Sequence, residues 1–213
     1  PYLSAAAKIH GVRSELPVPV GWCSWYHFYT NINEAVIDSN LETILELQPE
    51  VPLPLFQIDD GFETKPGDWF DFIPGFPNGL APLAQKASRA GLTPGVWLAP
   101  FILHPGAKLV KEHPDWLLRN KRGRPVTAGF VWNRLTYALD LTNPEALAYT
   151  CEVIRTAVEN WGFDYLKLDF LYAAALEGVY QDPTKTRAQV LRLGLEALRD
   201  AAGPEVMLLG CGC

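Results

Sequence analysis

The sequence predicts an α/β fold of the (β/α)8 TIM-barrel type, as an incomplete barrel of roughly the first five β/α units. Three observations predict it. Strand-like and helix-like apolar patterns alternate along the chain, the order of a parallel sheet with helical crossovers. No GxGxxG or GxxxxGK[ST] run follows a strand, so a nucleotide-binding doubly wound sheet lacks its phosphate loop. Trp25/Tyr26, Asp59/Asp60, Trp97 and Lys167/Asp169 all fall at the C-terminal ends of predicted strands, where such barrels carry their sites.

The elements follow in order. Val18 to Tyr26 reads as the first strand. Asn31, Asn33 and Glu34 give a capping signal, and Ile37, Leu41, Ile44 and Leu45 form a helical stripe that stops before Pro49. Leu53 to Asp60 is the second strand. Asn78 is the expected cap of a helix with Leu80, Leu83, Ala84 and Ala87 inward, and Gly91 ends it. Thr93 to Phe101 is the third strand, followed by a long irregular stretch. Tyr137 to Leu141 is a short strand-like run and a candidate sixth barrel strand. Asn143-Pro144-Glu145 is a strong helix start. Leu147, Cys151, Ile154, Val158 and Trp161 recur at helical spacing until Gly162. Tyr165 to Leu171 is the next strand. Leu191, Leu195 and Leu198 mark a helix closed by Gly203-Pro204, and Val206 to Cys211 is the last strand. Residues 1–17 read as a lead-in or linker, and 18–213 as the partial barrel. The abrupt start at Pro1 and end at Cys213 suggest a piece of a longer protein.

Composition narrows the function. At 213 residues and 48% hydrophobic, the chain has material for one sizeable core. The net charge of −6, with no basic stripe, argues against nucleic acid and anionic membranes. No apolar run approaches the roughly 20 residues of a spanning helix, and no signal peptide opens the chain. The four cysteines lack CxxC or zinc spacing, which fits a reducing compartment and favours a cytoplasmic location. Cys23 and Cys151 read as small core residues. No cofactor or metal is expected. Seven tryptophans are many for this length, and their flat apolar faces suit the C–H faces of sugars as well as a core.

The segment Asp164-Tyr165-Leu166-Lys167-Leu168-Asp169-Phe170 says most about chemistry. Its period of two puts the Lys167 ammonium and the Asp169 carboxylate on one face near a strand tip. A buried charge without a partner is costly, so the pair points to a site, although a structural ion pair has the same signature. Phe56-Gln57-Ile58-Asp59-Asp60-Gly61 is a second acidic tip, and also a turn signal. Asp140 ends another strand-like run and rivals Asp169, but its Asn-Pro-Glu continuation reads as helix capping. His27, His104 and His113 read as packed or loop residues, not ligands. Trp116 and Trp132 are open between lid, core and interface.

The ordered set of segments resembles the α-galactosidases of glycoside hydrolase family 36. These are Gly21-Trp22-Cys23-Ser24-Trp25-Tyr26, Asp59-Asp60-Gly61-Phe62, Gly95-Val96-Trp97-Leu98-Ala99-Pro100, His113-Pro114-Asp115-Trp116, Leu139-Asp140-Leu141-Thr142-Asn143-Pro144 and Leu166-Lys167-Leu168-Asp169-Phe170. The resemblance implies a retaining glycosidase acting on α-galactoside oligosaccharides, with Asp169 as nucleophile. It implies that Lys167 binds sugar hydroxyls and keeps Asp169 ionised, and that Asp59 and Asp60 accept from the galactose 4- and 6-hydroxyls. Trp25, Tyr26 and Trp97 would wall the pocket, and Cys211 and Gly212 would lie near the 2-hydroxyl. The acid/base carboxyl would lie on a strand beyond Cys211, outside this chain. Phe62 stands where many relatives have Trp.

Other readings stay in view. A raffinose-synthase-like transglycosylase shares the nucleophile motif, and an α-glucosidase or α-N-acetylgalactosaminidase shares the scaffold. From another class comes a non-catalytic sugar-binding fragment. An unclosed sheet exposes unpaired backbone, so self-association or completion by missing segments is expected.

Overall fold

The computed structural model describes residues 2–9, 18–131 and 134–212. Trp132, Cys213 and residues 10–17 of the lead-in lie outside them. The helices are α1 (Tyr2–Ile9), α2 (Trp25–Phe28), α3 (Glu34–Leu47), α4 (Ala81–Arg89), α5 (Lys108–Glu112), α6 (Pro144–Arg155) and α7 (Arg187–Ala202). The strands are β1 (Gly21–Cys23), β2 (Leu55–Ile58), β3 (Thr93–Leu98), β4 (Ile102–Leu103), β5 (Thr127–Val131), β6 (Arg134–Ala138), β7 (Tyr165–Leu168) and β8 (Met207–Gly210).

β1, β2, β3, β7 and β8 form one parallel sheet in that order. Among the described residues this sheet does not close into a barrel, in keeping with the incomplete-barrel expectation. Register aligns Gln57 with Gly95, Gly95 with Tyr165, and Trp97 with Lys167 and with Leu209 through β7. The alternation of a strand then puts Gln57, Trp97 and Lys167 on one face and Ile58, Val96, Leu98, Leu166 and Leu168 on the other. The second set is buried in one cluster with Ile37 and Leu41 of α3, Leu83 and Ala87 of α4, Ile154 of α6 and Val190 and Leu198 of α7. Gly95 leaves room in the first face, where a Cβ would stand 2.9 Å from the Tyr165 ring.

The expected sixth strand does not join this sheet. Tyr137 and Ala138 belong to β6, which pairs antiparallel with β4 and β5 in a three-stranded insertion between β3 and α6. A short apolar run carries no information on its pairing direction, and this one finds partners nearby in sequence. Asn33, within the expected capping signal, caps α3 by accepting from Val36 N–H at 2.9 Å. Asn78 is not the cap of α4; its amide donates to the Glu34 carboxylate instead. In α6 the buried face is Ala146, Thr150, Val153 and Ile154, while Leu147 and Cys151 are only partly buried. Asn143 caps α6 as its sequence implied, accepting from Glu145 and Ala146 N–H. Leu195 faces outward on α7.

Candidate active site

Three parallel strands deliver an ion pair to the inner face. Asp59, just past β2, is 2% exposed, and its Oδ2 accepts from Lys167 Nζ of β7 at 2.9 Å. Gln57 Nε2 reaches the same oxygen at 2.6 Å, and the Cys23 thiol at 3.4 Å. Gln57 also donates to Cys23 Sγ at 3.2 Å. On the backbone side Asp59 N–H donates to Ser24 Oγ at 2.9 Å. Oδ2 is therefore crowded with donors, while Oδ1 meets the Asp60 N–H at 3.1 Å. Burial pulls the Lys167 ammonium down, but its hydrogen bond to Asp59 and that residue's charge outweigh it, and the net shift is upward. Burial, then Asp59's charge, pushes the Cys23 thiol up to about 11.

Asp169 follows β7 directly, on the same face as Lys167. Its Oδ2 accepts from the Trp97 indole N–H at 3.1 Å and its Oδ1 from Phe170 N–H at 2.7 Å. Cys211, after β8, donates its backbone N–H to the Leu168 carbonyl at 2.8 Å. Burial first, then Asp169, raises the Cys211 thiol. Phe170 sits in the left-handed region at φ 54°, one of two non-glycine residues there among those described. Such strain costs on the order of 1–3 kcal/mol and collects at functional sites. The tryptophan is itself braced, since Trp69 packs edge-on against Trp97 at 5.8 Å and both are fully buried.

Gly212 closes the wall beside the carboxylate. Its φ is +60°, and a Cβ there would lie 2.8 Å from Asp169 Oδ1 and 3.2 Å from Phe170 N. Gly212→Ala combines a left-handed backbone, costing roughly 1–2 kcal/mol, with displacement of Asp169. Misplacing a reacting group by ~1 Å can cost roughly a hundredfold. The expected result is a fall in kcat/KM of that order, measured on the full-length protein; a wild-type rate would mean that Asp169 is not the reacting group.

The structure gathers Asp59, Asp60, Trp97, Lys167, Asp169, Cys211 and Gly212 at neighbouring strand ends. Lys167 pairs with Asp59, and Asp169 accepts from Trp97 and Phe170. Trp25 is half-buried on α2, edge-on to Tyr29 at 5.3 Å. Tyr26 is 81% exposed on the same helix. Phe62 lies fully buried among Trp69, Phe72 and Trp161, as core.

The rivals resolve as structure. The buried Asp140 accepts from Thr142 N–H and hydroxyl on Oδ1 and from Gln181 N–H on Oδ2 at 2.7 Å. Trp116 is buried, donates to Glu145 at 3.3 Å and stacks on His113 at 3.8 Å. His104 accepts from Gly106 N–H, a loop contact. No cluster among the described residues fits a metal ion, and no helix among them is long and apolar enough to cross a membrane.

Sequence reasoning missed four residues. Gln57 and Cys23 had a readable signal, because both fall on the inner face in the register layer directly before Asp59. Ser24 and Glu63 lie just outside strands, where no periodicity marks them. Glu63 is 5% exposed, and the Gly61 N–H approaches its Oε2 at 3.5 Å. Burial first, then Asp60's charge, holds its carboxyl well above the usual range.

The Melibiase family profile matches residues 9–197. An α-galactosidase of Escherichia coli is 31% identical over 192 residues, 85% of this chain and 26% of that protein. An α-galactosidase of Thermus thermophilus, solved with p-nitrophenyl α-D-galactopyranoside, superposes with a TM-score of 0.84 at 42% identity, over 94% of this chain and 39% of that one. The GH36 α-galactosidase AgaA of Geobacillus stearothermophilus, solved with raffinose, gives 0.73 at 26% identity, over 91% and 28%. The chain thus spans 19% to 26% of the first curated relatives it matches.

Proposed function

The chain belongs to the Melibiase family, of the GH36 α-galactosidase type, and from that premise we propose that it forms the nucleophile half of a retaining α-galactosidase site. The observation that carries the reading is Asp169 at the tip of β7. It is held by Trp97 and Phe170, two residues along β7 from the Lys167 of the Lys167–Asp59 pair.

In this reading a terminal α-galactosyl group enters the open inner face. The Asp169 carboxylate attacks the anomeric carbon as the bond to the leaving oxygen breaks, and an acid/base carboxyl protonates that oxygen. Water then attacks the same carbon and the acid/base takes its proton, releasing galactose with retained configuration. The resemblance to family 36 implies that the acid/base carboxyl lies on a strand after Cys211. Two donors on Asp169, the Trp97 indole and the Phe170 N–H, fix its direction, which matters because attack needs near-attack geometry. Asp59 and Asp60 accept from the 4- and 6-hydroxyls, and charged acceptors make stronger bonds than neutral ones. Trp25, Tyr26 and Trp97 form the apolar wall, and Cys211 and Gly212 border the 2-hydroxyl.

Completion of the site requires more strands. β1 and β8 each end the parallel sheet with an unpaired side among the described residues. Further β/α units, or a second copy, would cover those edges. The three described cysteines are all unpaired, which supports a cytoplasmic protein.

The test compares p-nitrophenyl α-galactoside with the α-glucoside on the full-length protein and follows the first product's anomer by NMR. Preference for the galactoside with α-galactose appearing first supports the reading. Preference for the glucoside, or β-galactose first, would sink it. Sucrose added as acceptor separates hydrolysis from transfer.

A further inference from the structure

We propose that Tyr172 is a positioning residue that sets leaving-group specificity: it fastens the insertion strand β5 to the segment after Asp169, so that β5 walls the side of the pocket from which the leaving group departs. The proposal deepens the galactoside reading and rests on it. Tyr172 lies in the short 3-10 turn Leu171–Ala175 that follows Asp169. Its hydroxyl donates to the Ala128 carbonyl of β5 at 2.6 Å, and its N–H donates to the Gly212 carbonyl at 3.1 Å. Its ring meets Phe170 edge-on, with centroids 6.2 Å apart. One residue therefore joins the turn after β7, the loop after β8 and the insertion sheet. Two of its partners also border the carboxylate. Phe170 N–H donates to Asp169 Oδ1, and a Cβ on Gly212 would lie 2.8 Å from the same oxygen.

The strand is shaped to receive this hydroxyl. Gly129 has φ +104°, and a Cβ there would stand 2.4 Å from the Tyr172 hydroxyl oxygen. Glycine in a strand often marks such a close approach. The pairing of β5 with β6 shifts register between Thr127 and Phe130, an irregularity that re-aims a strand. Two side-chain hydroxyls hold the irregular stretch: Tyr172 on the Ala128 carbonyl and the buried Thr136 on the Gly129 carbonyl at 3.3 Å. Burial, then the charge of Asp169, pushes the Tyr172 phenol up, so it keeps the proton it donates.

The geometry of the sugar gives the side. C1 and C4 stand at opposite ends of a pyranose ring. In the galactoside reading the 4- and 6-hydroxyls meet Asp59 and Asp60, past β2, and C1 meets Asp169, past β7. The leaving group is bonded to C1 and extends from that end. The turn that starts at Phe170 stands at the same end, and Tyr172 ties β5 to it. β5 is the outer strand of the insertion sheet among the described residues, so a bond to it fixes that sheet against the pocket rim.

The experiment uses the full-length protein as wild type, Tyr172→Phe and Gly129→Ala, with raffinose and unsubstituted α-galactosyl fluoride as substrates. Raffinose carries a disaccharide leaving group. The fluoride carries a single atom, too small to reach a wall. In both cases kcat/KM measures transition-state stabilisation from the free enzyme and substrate, so the ratio of the two isolates the leaving-group side. Tyr172→Phe keeps the ring and removes the hydroxyl. Its raffinose-to-fluoride ratio should fall roughly fivefold or more, the size of effect expected when a hydrogen bond is lost and its carbonyl is left unpaired. Gly129→Ala displaces the same hydroxyl and should lower the ratio in the same direction. An unchanged ratio in Tyr172→Phe overturns the proposal. An equal fall on both substrates also overturns it, because Tyr172 would then support Asp169 or the fold alone. Should Gly129→Ala not fold, Tyr172→Phe decides by itself. A wild type that cleaves neither substrate overturns the α-galactosidase reading, and with it this role; a wild type that cleaves both, with the ratio unchanged in Tyr172→Phe, overturns this role only.

Discussion

Asp169→Ala is expected to lower kcat by roughly 10⁴-fold or more, a loss of the size seen when a reacting group is deleted. The side chain is placed by the Trp97 indole and the Phe170 amide, so deletion removes the carboxylate without opening the apolar cluster behind β7. Thermal unfolding of the variant should stay near that of wild type. Asp140→Asn supplies the contrast. Its carboxylate accepts three local hydrogen bonds, so weakening them should cost about 1–3 kcal/mol of stability and leave kcat within a few-fold. Steady-state kinetics and calorimetry on both variants read the difference. If Asp140→Asn were inactive and Asp169→Ala active, the assignment of roles would be reversed.

Lys167→Met is the second large effect. Lys167 has a side chain 13% exposed and Asp59 2%. Removing the ammonium leaves a buried carboxylate with Gln57, Cys23 and the Asp60 N–H but no cation, and breaking a buried pair costs roughly 3–5 kcal/mol. The double variant Lys167→Met/Asp59→Asn should recover much of the stability, since no buried charge is then left alone, and recover none of the activity. Chemical denaturation gives the first result, and turnover of p-nitrophenyl α-galactoside the second. Recovery of activity in the double variant would mean that the pair is scaffold only.

The parts of this account that were legible in the sequence are those that a repeating pattern carries. Leu166, Leu168 and Phe170 against Lys167 and Asp169 declared both the strand and its functional face. The Asn143-Pro144 start of α6 was readable because capping chemistry is local, whereas α6 itself ends at Arg155 and a π-helical turn over Thr156–Asn160 carries the chain on towards Gly162. Tyr137–Leu141 was misleading because strand propensity is silent on partner and direction, and β6 found β4 and β5. The α6 stripe was misjudged by about one position, since Ala146 and Thr150 are small enough to be passed over yet lie on the buried face.

At the site the limit was of another kind. The acids at strand tips were readable as chemistry, but their partners were not. That Lys167 answers Asp59, across the strand that carries Trp97, depends on sheet order and register. Tyr172 stands in a turn with no period, and only its bond to Ala128 of β5 gives it a role.

The central claim is that Asp169 is the attacking carboxylate of a galactose-selective site. The most direct test is intact mass and peptide mapping of the full-length protein after incubation with a mechanism-based α-galactosyl fluoride that traps the glycosyl-enzyme. The account expects one galactosyl-derived adduct, on Asp169, absent from Asp169→Ala. An adduct on another residue, or none on a protein that turns over α-galactosides, would contradict it.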